Sequence, residues 1–393
     1  MNFFKDLSLS SFTAGFVAVL VGFTSSVAIV FQAAQAFQAT PAQITSWMWA
    51  LGLGMGLCSA IPSLILKKPV MVAWSTPGAA VLATAGLAGG FSMAEAVGAF
   101  IVCAALITLA GATGWFERVM NHIPMALASA LLAGVLARFG LQAFSAAQTA
   151  LPLVLLMLAS YVIARRLLPR YAVPVTLVAG VTFAAFKGQM AWSAVSFELA
   201  VPVFTAPQFS VSALVSLALP LFVVTMASQN LPGVAVMRAT GYDMPVSRLI
   251  TMTGLATLVL APFGAFALNF SAITAAICMG PEAHEDPKKR YTAAVSCGAI
   301  YTVLGLFGAV VTGLLTAFPK ELVAAIAGLA LLGSIGNGLA VAVKDESHRE
   351  AALITFLVTL SGVVVAGIGS AFWGVVAGSL ALLVQQYGSR TSD

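Results

Sequence analysis

From about residue 10 to residue 388 the chain divides into apolar stretches, and its charges are confined to the links between them. A helical crossing of a bilayer needs about 20 mostly apolar residues, and roughly fourteen stretches meet or approach that length. They lie near 10–31, 43–66, 69–90, 94–114, 123–143, 150–168, 172–188, 211–235, 246–263, 264–281, 291–316, 320–340, 350–367 and 369–388. With 60% hydrophobic residues, 8% charged residues and a mean hydropathy of +1.02, no soluble domain of this size could bury its apolar surface. The expected fold class is an all-α membrane protein with fourteen transmembrane segments.

The charges test that count. If the N-terminus is cytoplasmic and every stretch crosses, Lys5, Lys67, Lys68, Arg118, Arg165, Arg166, Arg170, Arg238, Arg248, Lys288, Lys289, Arg290, Lys344, Arg349 and Arg390 fall inside. Only Lys187 and Lys320 fall outside, a split of 15 to 2, with Arg138 inside a stretch. That asymmetry is the positive-inside pattern, and one missed crossing would scramble it. Both termini are expected in the cytoplasm. The basic residues are scattered over short loops, so the net charge of +5 implies a bilayer as partner and no nucleic acid. The first stretch is as long as a span and its leader carries Lys5 beside Asp6, which reads as a retained helix and not a cleaved signal.

Two stretches differ from ordinary spans. Trp74-Ser75-Thr76-Pro77-Gly78-Ala79-Ala80-Val81 and Phe270-Ser271-Ala272-Ile273-Thr274-Ala275-Ala276-Ile277 share one pattern at an offset of 196 in 393 residues. Each therefore holds the same place in its own half. Paired, interrupted apolar segments at corresponding places point to a transporter binding site. Seven stretches per half is an odd number, so two similar halves form a seven-plus-seven inverted repeat. Pro69 and the β-prone run Val70–Trp74 favour extended chain, with Ser75 or Thr76 as helix cap and Pro77 at the start. In the second half, 263–269 reads as extended, with helix from about Ser271. Two half-helices preceded by short antiparallel strands follow. The strands can satisfy each other within the bilayer, and the helices then present free N–H groups and about half a positive charge each.

Other polar residues carry weaker signals. Ser92-Met93-Ala94-Glu95 fits a capping box, and Glu95 is also a candidate for proton coupling. Arg138 lies 14 residues beyond Pro124, about 21 Å along a helix. It either snorkels to the outer surface or lines the cleft and steers an anion. Arg238 reads as a snorkelling helix end. Gln229 and Asn230 are mid-span amides that need partners, either the extended segments or a substrate. Cys58, Cys103, Cys278 and Cys297 have no metal-like spacing, and His122, His284 and His348 fall in loops, with Glu282-Ala283-His284-Glu285-Asp286 a short solvated turn. No metal or cofactor is expected. No phosphate-binding loop or nucleophile–base set indicates an ATP-driven pump or an enzyme.

The segments Ala73–Ala80, Thr225-Met226-Ala227-Ser228-Gln229-Asn230-Leu231-Pro232-Gly233, Ala272–Cys278 and Gly369-Ser370-Ala371-Phe372-Trp373-Gly374 resemble the benzoate:proton symporter (BenE-type) family over essentially the whole chain. The resemblance implies a bacterial inner-membrane carrier of aromatic carboxylates, with the fold of uracil and nucleobase permeases and sulfate-type anion transporters. It implies a core domain (1–122 and 206–317) moving against a gate domain (123–205 and 318–393). Substrate is then expected between the half-helices, at Ser26, Phe31, Trp74, Ser75, Thr76, Gly78, Gln229, Asn230, Phe270, Ser271, Ala272 and Thr274. Backbone N–H groups around Gly78 and Ala272 would hold the carboxylate, and Phe31, Trp74 or Phe270 the ring. The nucleobase permeases carry acids in spans 8 and 10. Here Gln229, Asn230 and Ile273 or Thr274 stand in those slots, so the likeness transfers the architecture and not a proton site. The reading is proton-coupled import of a benzoate-like substrate. The alternatives are another small organic anion, a nucleobase, or a passive anion channel, and a homodimer is the candidate assembly.

Overall fold

The computed structural model describes residues 3–24, 26–116, 124–168, 171–281, 283–363, 365 and 370–387. Arg118, His122, Arg170, Glu282, Gly369 and Arg390, used in the sequence reading, lie outside them, as do the side chains of Arg238, Ala371 and Phe372.

The first half runs α1 (Leu9–Thr24), α2 (Val27–Ala36), α3 (Pro41–Leu66), β1 (Val72–Trp74), α4 (Thr76–Gly89), α5 (Met93–Ala112), α6 (Met125–Ser145), α7 (Ala147–Leu167) and α8 (Ala172–Phe186). The second runs α9 (Val211–Val234), α10 (Val246–Leu260), β2 (Leu268–Phe270), α11 (Ala272–Met279), α12 (Tyr291–Leu306), α13 (Gly308–Ala317), α14 (Lys320–Ala342), α15 (Arg349–Ser361) and α16 (Ser370–Tyr387). Each of the fourteen expected stretches contains a helix. Among the described residues, eight helices are long and apolar enough to cross a bilayer, and α12 with α13, bent by 68°, makes a ninth if the pair is one crossing.

Local chemistry sets the boundaries. Thr40 and Gln43 form a capping box ahead of α3 with Pro41 in its first turn, and Lys67 ends that helix in the left-handed region at φ 54°. Ser92 and Glu95 form the expected box at α5. Two turns of α9, Leu214–Ala218 and Met226–Asn230, are wound as π-helix, which the sequence did not announce. The helices pack in pairs, α3 along α12, α5 along α10 and α6 along α14. Small residues permit the close approach expected inside membranes. A Cβ on Gly52 would stand 2.5 Å from the Gly305 Cα, and one on Gly298 would stand 2.6 Å from the Gly56 carbonyl oxygen.

The centre of the molecule is a two-stranded ribbon. β1 and β2 pair antiparallel in the register Val72↔Phe270, Ala73↔Asn269 and Trp74↔Leu268. The pairing extends through Ser271 N to Met71 O and Ser75 N to Ala267 O, both 3.1 Å. Residues 70–72 and 265–270 are almost wholly inaccessible, so the outer edges of the ribbon must find donors and acceptors within the protein. Neighbouring helices supply them. On the β1 side, Val70 N donates to Ser63 Oγ at 2.9 Å and Val72 N to Ser59 Oγ at 3.0 Å, both on α3. On the β2 side, Leu268 N donates to Thr257 Oγ1 of α10 at 3.1 Å and Phe270 N to Asn230 Oδ1 at 2.9 Å.

Candidate substrate cavity

The antiparallel ribbon delivers α4 and α11 from opposite directions, and their first turns face one cavity of about 420 Å³. Ser75 caps α4 by accepting from Gly78 N at 3.1 Å, and Ser271 caps α11 by accepting from Thr274 N at 3.4 Å. Each cap consumes one of the helix's unpaired donors. The N–H groups of Thr76, Ala272 and Ile273 keep no partner within their helices, and all three residues lie on the cavity wall. The opposite wall comes from α6 and α14, through Met125, Ala128, Ser129, Leu132, Leu136, Ala330, Leu331, Asn337, Gly338 and Val341.

The cavity brings together Ser26, Trp74, Thr76, Gln229, Ser271, Ala272 and Thr274. The other expected residues stand behind it. Ser75 is fully buried and accepts from Thr225 Oγ1 at 2.9 Å. Gly78 faces α9, where an added Cβ would lie 2.5 Å from Leu221 Cδ1, and its N–H is already taken by Ser75. Asn230 is fully buried and spent on the ribbon, with its amide nitrogen 3.1 Å from Met226 Sδ. Phe31, Trp74 and Phe270 are all buried, and of the three Trp74 is the one that contributes to the wall. Its indole Nε1 donates to Ser26 Oγ at 2.8 Å, and Ser26 donates to Gly22 O at 3.0 Å, tying the ribbon to the junction of α1 and α2.

Glu95 and Arg138 lie apart from the cavity wall. Glu95 closes its capping box and accepts from Ser210 Oγ at 2.7 Å. The Arg138 guanidinium lies against Gly362 at the end of α15, and its Nη1 is buried without a hydrogen-bond partner among the described residues. Four buried oxygens are likewise unpartnered among the described residues, Asn269 Oδ1 in the ribbon, Thr274 Oγ1 of a wall residue, Thr312 Oγ1 and Thr359 Oγ1. Ser129, Ser228, Tyr301 and Asn337 complete the polar lining. Asn337, an amide between glycines in an apolar span, was the one of these a reading of intramembrane polar groups could have raised. Among the described lining residues there is no Asp, Glu, Lys, Arg or His. An adjoining cavity of about 540 Å³ shares Met125 and Val341 with this one and carries Lys344, Asp345 and His348.

A family profile described as "Benzoate membrane transport protein" matches residues 5–384. The chain belongs to that family. A curated relative, the benzoate membrane transport protein of Acinetobacter baylyi, is 41% identical over 380 residues, covering 97% of this chain and 96% of its own. The inner membrane protein YdcO of Escherichia coli (strain K12) is 48% identical over 371 residues, covering 94% of each chain. Family membership makes the chain a membrane transport protein and disposes of an enzyme reading. Among solved structures, the transmembrane domain of the cyanobacterial bicarbonate transporter BicA aligns over 96% of this chain and 97% of its own, with TM-score 0.60 and 14% identity. Murine Slc26a9 in its inward-facing state aligns over 98% of this chain and 69% of its own, with TM-score 0.57 and 14% identity. These two likenesses describe the fold.

Proposed function

We propose that the protein imports a benzoate-like aromatic carboxylate across the bacterial inner membrane by alternating access, together with a proton. The observation that carries this reading is a cavity with two opposed half-helix N-termini on one wall and no charged side chain among its described lining residues. Helix N-termini favour anions by about 0.3–1 kcal/mol each, and up to about 2 kcal/mol when partly buried. They do so without a permanent buried cation, whose desolvation is costly. In this reading the carboxylate accepts from the N–H groups of Thr76, Ala272 and Ile273, with Thr274 and Gln229 beside it. The ring lies against Trp74, with Leu132 and Leu136 facing it. The name of the Acinetobacter relative supports benzoate as the reference substrate.

The same reading takes the fourteen stretches as crossings of a seven-plus-seven inverted repeat, with both termini cytoplasmic and the domain boundaries given above. In this reading the adjoining cavity, lined by Lys344, Asp345 and His348, is cytoplasmic, and the described conformation is taken as inward-open. Uptake into proteoliposomes of benzoate, substituted benzoates and uracil, with and without a pH gradient, tests the function. Benzoate is expected to show saturable uptake and counterflow, stimulated by an inward proton gradient. Benzamide, which keeps the ring and loses the charge, is expected to compete poorly. Uracil uptake without benzoate uptake would overturn the substrate assignment, and equal competition by benzamide would remove the anion-at-dipole site.

A further inference from the structure

A coupled proton must reside on some group while the substrate crosses. Tyr301 is the one titratable side chain on the wall among the described residues. The elements around the cavity offer little more. On α6, Arg138 is turned to Gly362. On α11 and α12, Cys278 and Cys297 are fully buried behind the wall, and on α3 Cys58 is buried. On α14, Glu321 sits in the first turn, where Thr149 Oγ1 lies 3.3 Å away. At the mouth stand Lys344 and the hydrogen-bonded pair His348–Asp345. Of these side chains Tyr301 alone comes near a half-helix N-terminus, its hydroxyl and Thr274 Cγ2 lying 2.8 and 2.9 Å from where a Cβ on Gly22 would stand, and it is therefore the protein group to be separated from the substrate as proton carrier.

We infer that the coupled proton is carried by the substrate's own carboxyl group. This rests on the carboxylate-import reading above. The substrate arrives as a carboxylate, drawn to the N-termini of α4 and α11. There it takes a proton from water on the outer side, RCOO⁻ + H₃O⁺ → RCOOH + H₂O. It crosses as the neutral acid and returns the proton to water on the inner side by the reverse step. One O–H bond is made and broken, and nothing is oxidised or reduced.

The geometry serves both charge states. A carboxylate needs donors only, whereas a carboxylic acid presents one acceptor and one donor. The free N–H groups of Thr76, Ala272 and Ile273 suit the first and one oxygen of the second. The acid O–H then requires an acceptor, and Thr274 is a wall residue, 1% exposed, whose buried Oγ1 is unpartnered among the described residues. Its hydroxyl can rotate to donate to the anion or to accept from the acid. Gln229, also on the wall, offers an amide with the same dual capacity. Neutralising the cargo removes the cost of moving an ion past a wall that has no charged side chain among its described residues.

The test compares benzoate, 4-methoxybenzoate and 4-nitrobenzoate, whose carboxyl acidities differ. Uptake into proteoliposomes is measured at sub-saturating concentration across pH, with protein-free vesicles subtracted. Uptake is expected to fall about tenfold per pH unit on the alkaline side. The three profiles should superimpose once pH is expressed relative to each substrate's own pKa. Profiles sharing one midpoint pH would assign the proton to a protein group and overturn the inference. So would uptake of the anions without proton influx, which would leave the benzoate reading standing. Absence of uptake of all three would overturn both. In Tyr301→Phe and Glu95→Gln the superposition is expected to persist in whatever uptake remains, and its collapse in either variant would assign the proton to that residue.

Discussion

Replacing Asn230 by Leu keeps the approximate volume and deletes one acceptor. Phe270 N–H, which donates to Asn230 Oδ1 at 2.9 Å, then has no partner at a fully buried position on the outer edge of the ribbon. An orphaned buried amide costs about 1–3 kcal/mol, and the weak contact to Met226 Sδ adds little. Phe270 is followed directly by the Ser271 cap and α11, so the loss falls on the register of one half of the site. If the whole penalty appears in binding, affinity drops by about 5–150-fold. The assay is benzoate binding and initial uptake in proteoliposomes, with the thermal midpoint of the purified protein as a second readout. Asn230→Asp restores the acceptor. Its carboxyl offers an oxygen where Asn230 Oδ1 now receives Phe270 N–H. Partial recovery in Asn230→Asp is expected. Wild-type affinity and stability in Asn230→Leu would refute the argument, as would equal loss in both variants.

Other perturbations separate site from scaffold. Gly78→Val should abolish uptake, because its Cβ must displace Leu221 Cδ1 and Ser75 Oγ, 2.5 and 2.7 Å away, and misplace the start of α4; near-normal uptake by the folded variant would contradict this. Glu95→Gln should retain more uptake than Gln229→Ala, since Glu95 is occupied with Ser92 and Ser210 and Gln229 is on the wall; the reverse order in initial rates would show Glu95 acting on transport. Hydrogen bonds from Ser347 and His348 hold the Asp345 carboxyl below its usual range. A depressed folded-state value stabilises above the unfolded pKa and is lost as pH falls through the folded one. The difference in thermal midpoint between wild type and Asp345→Asn should therefore be constant above about pH 5 and shrink below about pH 4, and a difference growing toward low pH would reverse the assignment.

The break in each half was legible because it is written in local chemistry. Ser75 with Pro77, and Ser271 three residues before Thr274, are caps that act over one turn, and the β-prone run before Trp74 forecasts its own geometry. What satisfies the ribbon was not legible. Ser59, Ser63 and Thr257 look like ordinary serine and threonine in spans, where hydroxyls bond to the preceding turn, as Ser63 Oγ also does to Ser59 O at 2.6 Å. Their second role depends on which strand edge lies beside them. Asn230 was expected to need a partner, and the structure gives it a backbone amide of the ribbon. Phe31 and Phe270 were placed on the wall for their chemistry alone, but an aromatic ring suits a core equally well, and burial put them there. The wall from α6 and α14 depends on tertiary packing that no short motif encodes. The bend at Phe307 and the π turns of α9 were likewise absent from the apolar pattern, which records length and not winding.

The π turn over Met226–Asn230 has a consequence for the reading frame of the chain. Gln229 lines the cavity while its neighbour Asn230 serves the ribbon, so two consecutive residues answer to two different masters across one extra residue of winding. In a helix each position turns the following face by about 100°. Removing a single residue here would leave no visible gap or loop, and α9 would close into a regular helix. The flanking turns would keep nearly the faces they now present, because a π turn holds one residue more than an α turn over much the same rotation, and the loss would fall on the division of labour between Gln229 and Asn230. A length change of one codon here would be taken up by the winding of α9, and it would be felt only where the cavity and the ribbon draw on neighbouring residues.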